Sequence, residues 1–201
     1  MLETPSIRRY SFMSYPVNTV RDMSSDNPTG ADNQQETVCS RLELDPHWVV
    51  GFVDGEGCFS VSIHANPNAR STGGWQLQPV FHVYQHVKYR AVLEELVRFF
   101  ACGRVRPKGP RSSVWTYAVH SRRDQEASIL PFFERHPLVI KDADFRCFAA
   151  IVRMMRRREH LTASGFERAV RLAFAMNANG KQRTQSLDSI LAGSSETARR
   201  A

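Results

Sequence analysis

The chain has 201 residues, a formal net charge of +7 and a calculated isoelectric point of about 9.6. Because 42% of the residues are hydrophobic and 10% are aromatic, the chain can bury a core, and wholesale disorder is excluded. No segment approaches the roughly 18 consecutive apolar residues of a membrane span, so no membrane partner is expected.

The N-terminal segment and the cysteines bear on the compartment. The first residues, MLETPSIRRYSFMSYP, contain no continuous apolar stretch, so a secretory signal is not expected. The four cysteines include no CxxC pair, which argues against a zinc site or a disulfide framework. We expect reduced, buried thiols and a cytoplasmic, nucleoid-associated protein of a prokaryote, with an organelle matrix as the alternative.

Charge is unevenly distributed along the chain. Residues 1–45 hold four basic and seven acidic side chains, a net charge of −3, whereas residues 46–201 hold 23 basic and 13 acidic ones, a net charge of +10. The first segment is also rich in Ser, Asn, Asp and Pro, so residues 1–40 are predicted to be a disordered arm. We predict a folded domain over 41–192 and a disordered tail over 193–201. The basic domain suits a polyanion, although a basic enzyme without nucleic acid has the same charge.

The first predicted elements are a helix and two strands. Asp45 supplies an N-cap acceptor, and Pro46 suits the first helical position. Apolar residues then recur at helical spacing until Gly57 ends the run. Segments 58–64 and 75–85 alternate between apolar and polar residues, as strands with one buried face do.

The remainder predicts a second strand pair between helices. We expect strands near 104–108 and 113–120, and helices at 88–101, 124–134, 141–158, from Thr162 to about 176, and 186–192. The order α-ββ-α-ββ-α, with helices appended, predicts an α+β fold with one antiparallel sheet and helices on one face. The other sheet face is polar. Water is the usual occupant of such a face, but the basic charge favours nucleic acid.

The predicted helix over 46–57 is unusually weak for its length. Gly51 and Gly55 each cost about 1 kcal/mol relative to alanine, and Glu56 lies at the end where the helix dipole disfavours a carboxylate. The glycines are four residues apart, hence on one face. If that face packs on a copy of itself, two Glu56 carboxylates meet and favour a divalent cation such as Mg²⁺. The alternative is that Glu56 merely faces solvent.

These residues resemble a known family. Val49–Gly57, VVGFVDGEG, resembles the nine-residue signature of the LAGLIDADG homing endonucleases. Three further blocks agree in order and spacing: FHVYQ at 81–85, PLVIK at 137–141, and EHLT at 159–162. The resemblance extends over roughly 46–183 and implies an αββαββα domain, whose sheet forms a saddle over DNA and whose signature helices form the dimer interface.

The resemblance also implies roles for single residues. Glu56 falls on the metal-binding position, with Mg²⁺ or another divalent cation such as Mn²⁺ as cofactor. Gln85 and Lys141 fall on the other catalytic positions. The dimer interface is assigned to Gly51, Phe52, Asp54 and Gly55. A single signature is typical of the subgroup that acts as a homodimer on a long, near-palindromic site in double-stranded DNA.

The predicted DNA contacts combine the polar sheet face with nearby basic residues. His82 is predicted to read base edges. Lys88 and Arg90 flank Tyr89, the position where a basic residue is expected. The full set is Ser60, Ser62, His64, Gln76, Gln78, His82, Lys88, Arg90, Arg104, Arg106, Lys108, Arg111, Lys181 and Arg183.

The leading hypothesis is therefore a site-specific, metal-dependent double-strand DNA endonuclease that hydrolyses phosphodiester bonds. The alternative is a non-cleaving relative that acts as an intron RNA maturase or as a DNA-binding regulator. A third reading, a homodimeric structural module, predicts no metal dependence and no salt-sensitive binding to nucleic acid.

Overall fold

The computed structural model describes residues 43–176 and 185–198, and its elements follow the predicted order. The helices and strands are α1 (Pro46–Glu56), β1 (Gly57–Ala65), β2 (Trp75–His86), α2 (Arg90–Phe100), β3 (Arg104–Pro107), β4 (Val114–Val119), α3 (Arg122–Asp124), α4 (Leu130–Arg135), α5 (Asp142–Arg156), α6 (Ala163–Ala175) and α7 (Leu187–Ala198). No helix among these residues is long and apolar enough to cross a membrane.

The four strands form one antiparallel sheet in the order β1-β2-β4-β3. Strand parity separates an apolar face, with Phe59, Phe81 and Tyr117 fully buried under the helices, from a polar face. The polar face carries the residues that the alternation assigned to it, including Ser62, Gln76 and Gln78, which are exposed. The predicted α+β fold is confirmed, since the helices pack on one side of the sheet.

The start of α1 and its junction with β1 are built as the sequence predicts. Asp45 Oδ1 accepts hydrogen bonds from the backbone N–H of His47 at 2.8 Å and of Trp48 at 3.1 Å. At the other end, α1 passes into β1 without a loop, and a Cβ at Gly57 would lie 2.6 Å from the Val53 side chain. Glycine at 57 therefore permits the tight junction that fixes where α1 ends.

The helical segment predicted over 124–134 is irregular. A π-helical turn, Gln125–Ile129, separates α3 from α4. Pro131 in the first turn of α4 has no N–H to donate, which accounts for a wider turn just before it. The turn directs Gln125 into the core, where it is fully buried and its Nε2 donates to the carbonyls of Pro79 and Val119, both at 2.9 Å.

The C-terminal boundary differs from the prediction. Helix α7 continues to Ala198, past residue 192, where the predicted folded domain ends. A glycine in a helix costs only about 1 kcal/mol, and Gly193 does not end this one. Ile190 of α7 is buried in the core. The predicted arm, residues 1–40, lies outside the described residues.

Replacing Gln125 tests the π-helical turn. Gln125→Met keeps the side-chain length but leaves two buried carbonyls without a donor, which costs about 1–3 kcal/mol in the free energy of unfolding. Urea denaturation measures this change. Gln78→Met, on the exposed sheet face, is the control and should shift stability by less than about 0.5 kcal/mol. Equal stability of both variants and wild type would show that the Gln125 hydrogen bonds do not hold the turn.

Candidate active site and nucleic-acid interface

The C-terminal end of α1 carries an exposed carboxylate next to a lysine from elsewhere in the chain. Glu56 is exposed, and no described residue forms an ion pair with it. Lys141 Nζ donates to the backbone carbonyl of Asp54 and, at 3.3 Å, to that of Gly55. These carbonyls form the negative end of the helix dipole, so the ammonium offsets the dipole beside Glu56.

Asp54 explains why Lys141 lies there. The Asp54 side chain, only 8% exposed, accepts three backbone N–H groups from one loop: Val139 at 2.8 Å, Ile140 at 3.1 Å and Lys141 at 3.0 Å. These bonds tie the loop before α5 to the end of α1. The predicted place of Asp54 in a dimer interface is not supported for its carboxylate, which is directed into its own chain.

The sheet register brings Gln85 to the same end of the molecule. Gly57, the first residue of β1, pairs with Val83, and Gln85 lies two residues further along β2, so it is at the same end of the sheet as the junction of α1 and β1. Gln85 Oε1 accepts from the His86 backbone N–H at 2.8 Å, which leaves its amide nitrogen free to donate to a ligand. The structure therefore places Lys141 against the end of α1, at the carbonyl of the residue before Glu56, and Gln85 at the same end of the sheet; the catalytic roles of the three residues stay predictions.

Two residues at this end of the molecule were missed in the sequence. Burial and the negative charge of Asp144 raise the pKa of the Cys58 thiol, while Lys141 lowers it. Cys58 at the start of β1 and Asp144 in the first turn of α5 thus lie within electrostatic range of Lys141. Their positions depend on how α5 packs against β1, which no local pattern reveals. The raised pKa keeps Cys58 a neutral thiol at neutral pH.

The described part of a single chain has few side chains placed to bind a metal ion. The described residues include no group of three or more His, Cys, Asp or Glu that could enclose a metal ion. Glu56 has the chemistry that Mg²⁺ prefers, because its carboxylate oxygens are hard ligands and form no ion pair with a described residue.

The exposed face of α1 has no packing reason for its glycines. A Cβ at Gly51 or at Gly55 would meet no atom within 4 Å. Between them lies Phe52, whose ring stacks on Trp48 at 4.8 Å, and Trp48 is 44% exposed. This face, formed by Trp48, Gly51, Phe52 and Gly55, is called the glycine face below. It combines exposed aromatic surface with two positions where another backbone can approach closely.

The polar face of the sheet carries cations without carboxylate partners. Arg104, Arg106 and Lys108 of the β3–β4 hairpin are exposed, and none forms an ion pair with a described residue. Every described arginine that is paired lies instead on the helical side: Arg90, Arg98, Arg146, Arg153, Arg156, Arg157, Arg168 and Arg171. The sheet face therefore keeps its positive charge available for an anion.

The residues predicted to contact DNA differ in whether their side chains are exposed and unpaired. Lys88 is exposed and Arg111 lies in the exposed β3–β4 loop. Arg90 pairs with Glu94 at 2.7 Å and lies 4.3 Å over the Trp115 ring, which argues against the prediction that it contacts DNA. Lys181 and Arg183 lie outside the described residues.

Three residues on the polar face already have partners in the chain. Ser60 Oγ donates to the Val80 carbonyl at 3.3 Å, and Gln76 Oε1 accepts from Asn66 at 2.6 Å. The His82 ring lies in the polar face between Tyr84 and His120, and its centroid is 5.6 Å from that of the Tyr84 ring and 6.0 Å from that of the His120 ring. Burial, then His120, Arg106 and Lys108, lower the pKa of His82 to about 4, so His82 meets any ligand as a neutral ring.

The chain is similar in sequence to a family of endonucleases. The family model described as LAGLIDADG endonuclease matches residues 49–152, which is 104 of 201 residues. The probable intron-encoded endonuclease 3 of Neurospora crassa is 30% identical over 128 residues, 63% of this chain. The chain spans 23% of that protein's length.

Two solved structures resemble the chain closely. The archaeal intron-encoded homing endonuclease I-Vdi141I, complexed with DNA, is 26% identical with a TM-score of 0.70, and covers 77% of this chain and 96% of its own. I-SmaMI, bound to uncleaved DNA target in the presence of calcium ions, is 31% identical with a TM-score of 0.67, and covers 75% of this chain but only 49% of its own.

Replacing Asp54 tests the hydrogen bonds that hold the loop. Asp54→Asn removes the charge and turns an NH₂ group toward backbone N–H donors, which should cost about 1.5–3 kcal/mol in the free energy of unfolding. Urea denaturation gives this value. Asp142→Asn is the matched control, since Asp142 has only an exposed pair with Arg146 and should cost less than about 1 kcal/mol. A smaller loss for Asp54→Asn than for Asp142→Asn would contradict the proposed anchoring.

Proposed function

The chain belongs to the LAGLIDADG endonuclease family, and we propose that it is a site-specific DNA endonuclease that cuts both strands as a homodimer. The observation that carries this proposal is the corner at the end of α1. There Asp54 holds Lys141 against the helix end, beside an exposed Glu56 that no described cation neutralises. A structural module would have no need to maintain an unpaired carboxylate beside a positioned ammonium.

Three observations support the homodimer. An added Cβ at either glycine of the glycine face meets no atom within 4 Å, so no contact within the described chain requires glycine there. The described residues of one chain include no group of three or more metal-binding side chains. This chain also matches 49% of I-SmaMI, so two copies correspond to the length of that DNA-bound protein. Symmetric packing of two glycine faces would bring two Glu56 carboxylates together.

Glu56 is the residue that would hold a divalent cation, and we infer that the cation is Mg²⁺. An exposed carboxylate with room for water and phosphate oxygens suits this ion better than a softer one. When bound, the cation would supply positive charge at the scissile phosphate.

The chain's own residues would perform the remaining steps. Lys141 would donate its free N–H to the phosphate as negative charge develops on it. The Gln85 amide would donate to the attacking water and orient it in line with the scissile bond. The water oxygen would bond to phosphorus as the bond from phosphorus to the 3′ oxygen breaks. The proton that the water loses would pass to solvent, and the 3′ oxygen would take up a proton from solvent, leaving a 5′ phosphate and a 3′ hydroxyl.

DNA would lie against the polar face of the sheet. Its unpaired cations, Arg104, Arg106 and Lys108, would contact phosphates or base edges, and a two-stranded antiparallel ribbon fits the width of the major groove. The double-stranded site would be near-palindromic, because two identical sheets related by a two-fold axis read two identical half-sites.

Glu56→Gln should abolish cleavage while DNA binding survives. The amide keeps the shape of the side chain but not its charge, and loss of several kcal/mol of charge stabilisation corresponds to a rate reduction of at least about 100-fold. Cleavage of a selected DNA site with Mg²⁺ and gel-shift affinity provide the two readouts. Glu167→Gln, a paired carboxylate on α6, is the control and should cut at the wild-type rate. Unchanged cleavage by Glu56→Gln would overturn the active-site assignment.

Gly51→Leu should produce a folded monomer that neither binds DNA tightly nor cuts it. The added side chain meets no atom of its own chain within 4 Å of its Cβ, so the monomer fold should survive while the approach of a second helix is blocked. Light scattering gives the mass and circular dichroism checks the fold. Gly109→Leu, where the added Cβ also meets no atom, should stay dimeric. A dimeric, active Gly51→Leu would remove the glycine face from the interface.

A further inference from the structure

One cation on the polar sheet face is held by a neutral partner. The Arg106 guanidinium lies 3.2 Å from His120 Nε2. A guanidinium can only donate, so Nε2 is the acceptor and the ring proton resides on Nδ1. His120 directly follows β4 and was absent from the predicted contacts, although the predicted strand over 113–120 included it.

The sheet leaves space for this contact. Arg106 pairs with Thr116, and Ala118 pairs with both Arg104 and His82. His120 is four residues beyond Thr116, so Arg106 has to lean along the sheet past Ala118 to reach it. Ala118 is small, and although it points to the polar face it is only 3% exposed, as expected if the leaning side chain covers it.

We propose that His120 is a positioning residue that fixes Arg106 for sequence readout at one base pair of the DNA site. The recognised group is a base edge with two adjacent acceptors in the major groove, which is guanine. This inference rests on the proposed function, because it requires that DNA lie on the polar sheet face.

Because His120 is neutral, it can hold the Arg106 guanidinium without cancelling its charge. A carboxylate partner would hold the guanidinium equally well but would cancel its charge, as carboxylates do for the arginines on the helical side. An imidazole acceptor removes rotamer freedom from a long side chain while leaving its full positive charge for DNA. The contact uses one N–H, so four others remain for the base.

The surroundings of His120 set the direction of its pH dependence. The charged and titratable groups around it are His82 on β2, Arg106 on β3, Arg122 on α3, and His160 across the adjoining cavity. Lys108, which follows β3, faces His82. Burial and Arg106 lower the pKa of His120 below its usual value, so the ring is neutral at neutral pH. Protonation would place an N–H on Nε2, abolish the acceptor and repel Arg106.

The test is a binding-site selection from random duplex DNA with the purified full chain. Wild type should select guanine at one position of each half-site. His120→Ala should reduce that preference by roughly 5- to 140-fold, the range that a bidentate arginine–guanine contact spans. His120→Gln, whose Oε1 replaces the acceptor, should retain the preference. His64→Ala, a histidine on the same face but on the edge strand β1, should leave that position unchanged.

Two further readouts distinguish positioning from a general structural role. Arg106→Ala and the double variant with His120→Ala should show the same preference within about twofold, because His120 acts only through Arg106. As the pH falls through the lowered pKa of His120, wild type should lose the preference while His120→Gln keeps it, since glutamine does not titrate. The inference would be overturned if the losses of guanine preference in Arg106→Ala and His120→Ala added up in the double variant. It would also be overturned if the preference of wild type and of His120→Gln depended on pH equally.

Failure of this inference is distinguishable from failure of the proposed function. If wild type enriches no sequence and binds no DNA, the endonuclease proposal itself is contradicted. If wild type selects a site but His120→Ala selects the same base at every position, only the role of His120 is wrong.

Discussion

The arrangement of the candidate site depends on one carboxylate that receives three backbone hydrogen bonds. Asp54 connects to residues 85, 86 and 87 positions further along the chain. Hydrogen bonds to an ionised acceptor are stronger than neutral ones and are directional. They fix the loop before α5 against α1, and the Lys141 side chain then reaches the helix end. Without this anchor, Lys141 and Glu56 would be unrelated surface charges.

The weakness of α1 follows from the same arrangement. A helix of 11 residues with two glycines and a terminal carboxylate is unfavourable by length, propensity and dipole. The chain compensates by packing Val49 and Val53 into the core and by placing the Lys141 ammonium at the end of α1. One face of α1 is thereby packed against its own domain, whereas Trp48, Gly51 and Gly55 of the glycine face remain exposed.

Local pattern predicted the element order, the sheet faces and the exposed end of α1, because alternation, caps and glycine spacing are properties of neighbouring residues. The contacts that give the site its character connect distant residues. The resemblance put Lys141 on a catalytic position and Asp54 in the interface, but only tertiary packing shows that Lys141 reaches the end of α1 and that Asp54 holds a loop. The pairing of Arg90 with Glu94 is a contact four residues apart within α2, a local signal that the prediction of a DNA contact did not take into account.

The most direct measurement of the central claim, that two copies act together on one DNA duplex, is a gel-shift assay with two chain lengths. The full chain and a version enlarged by a fused tag are co-expressed and mixed with a selected DNA site. The account predicts three retarded complexes, the middle one containing one copy of each length. Two retarded complexes, with no mixed species, would show that a single copy binds the DNA and would contradict the account.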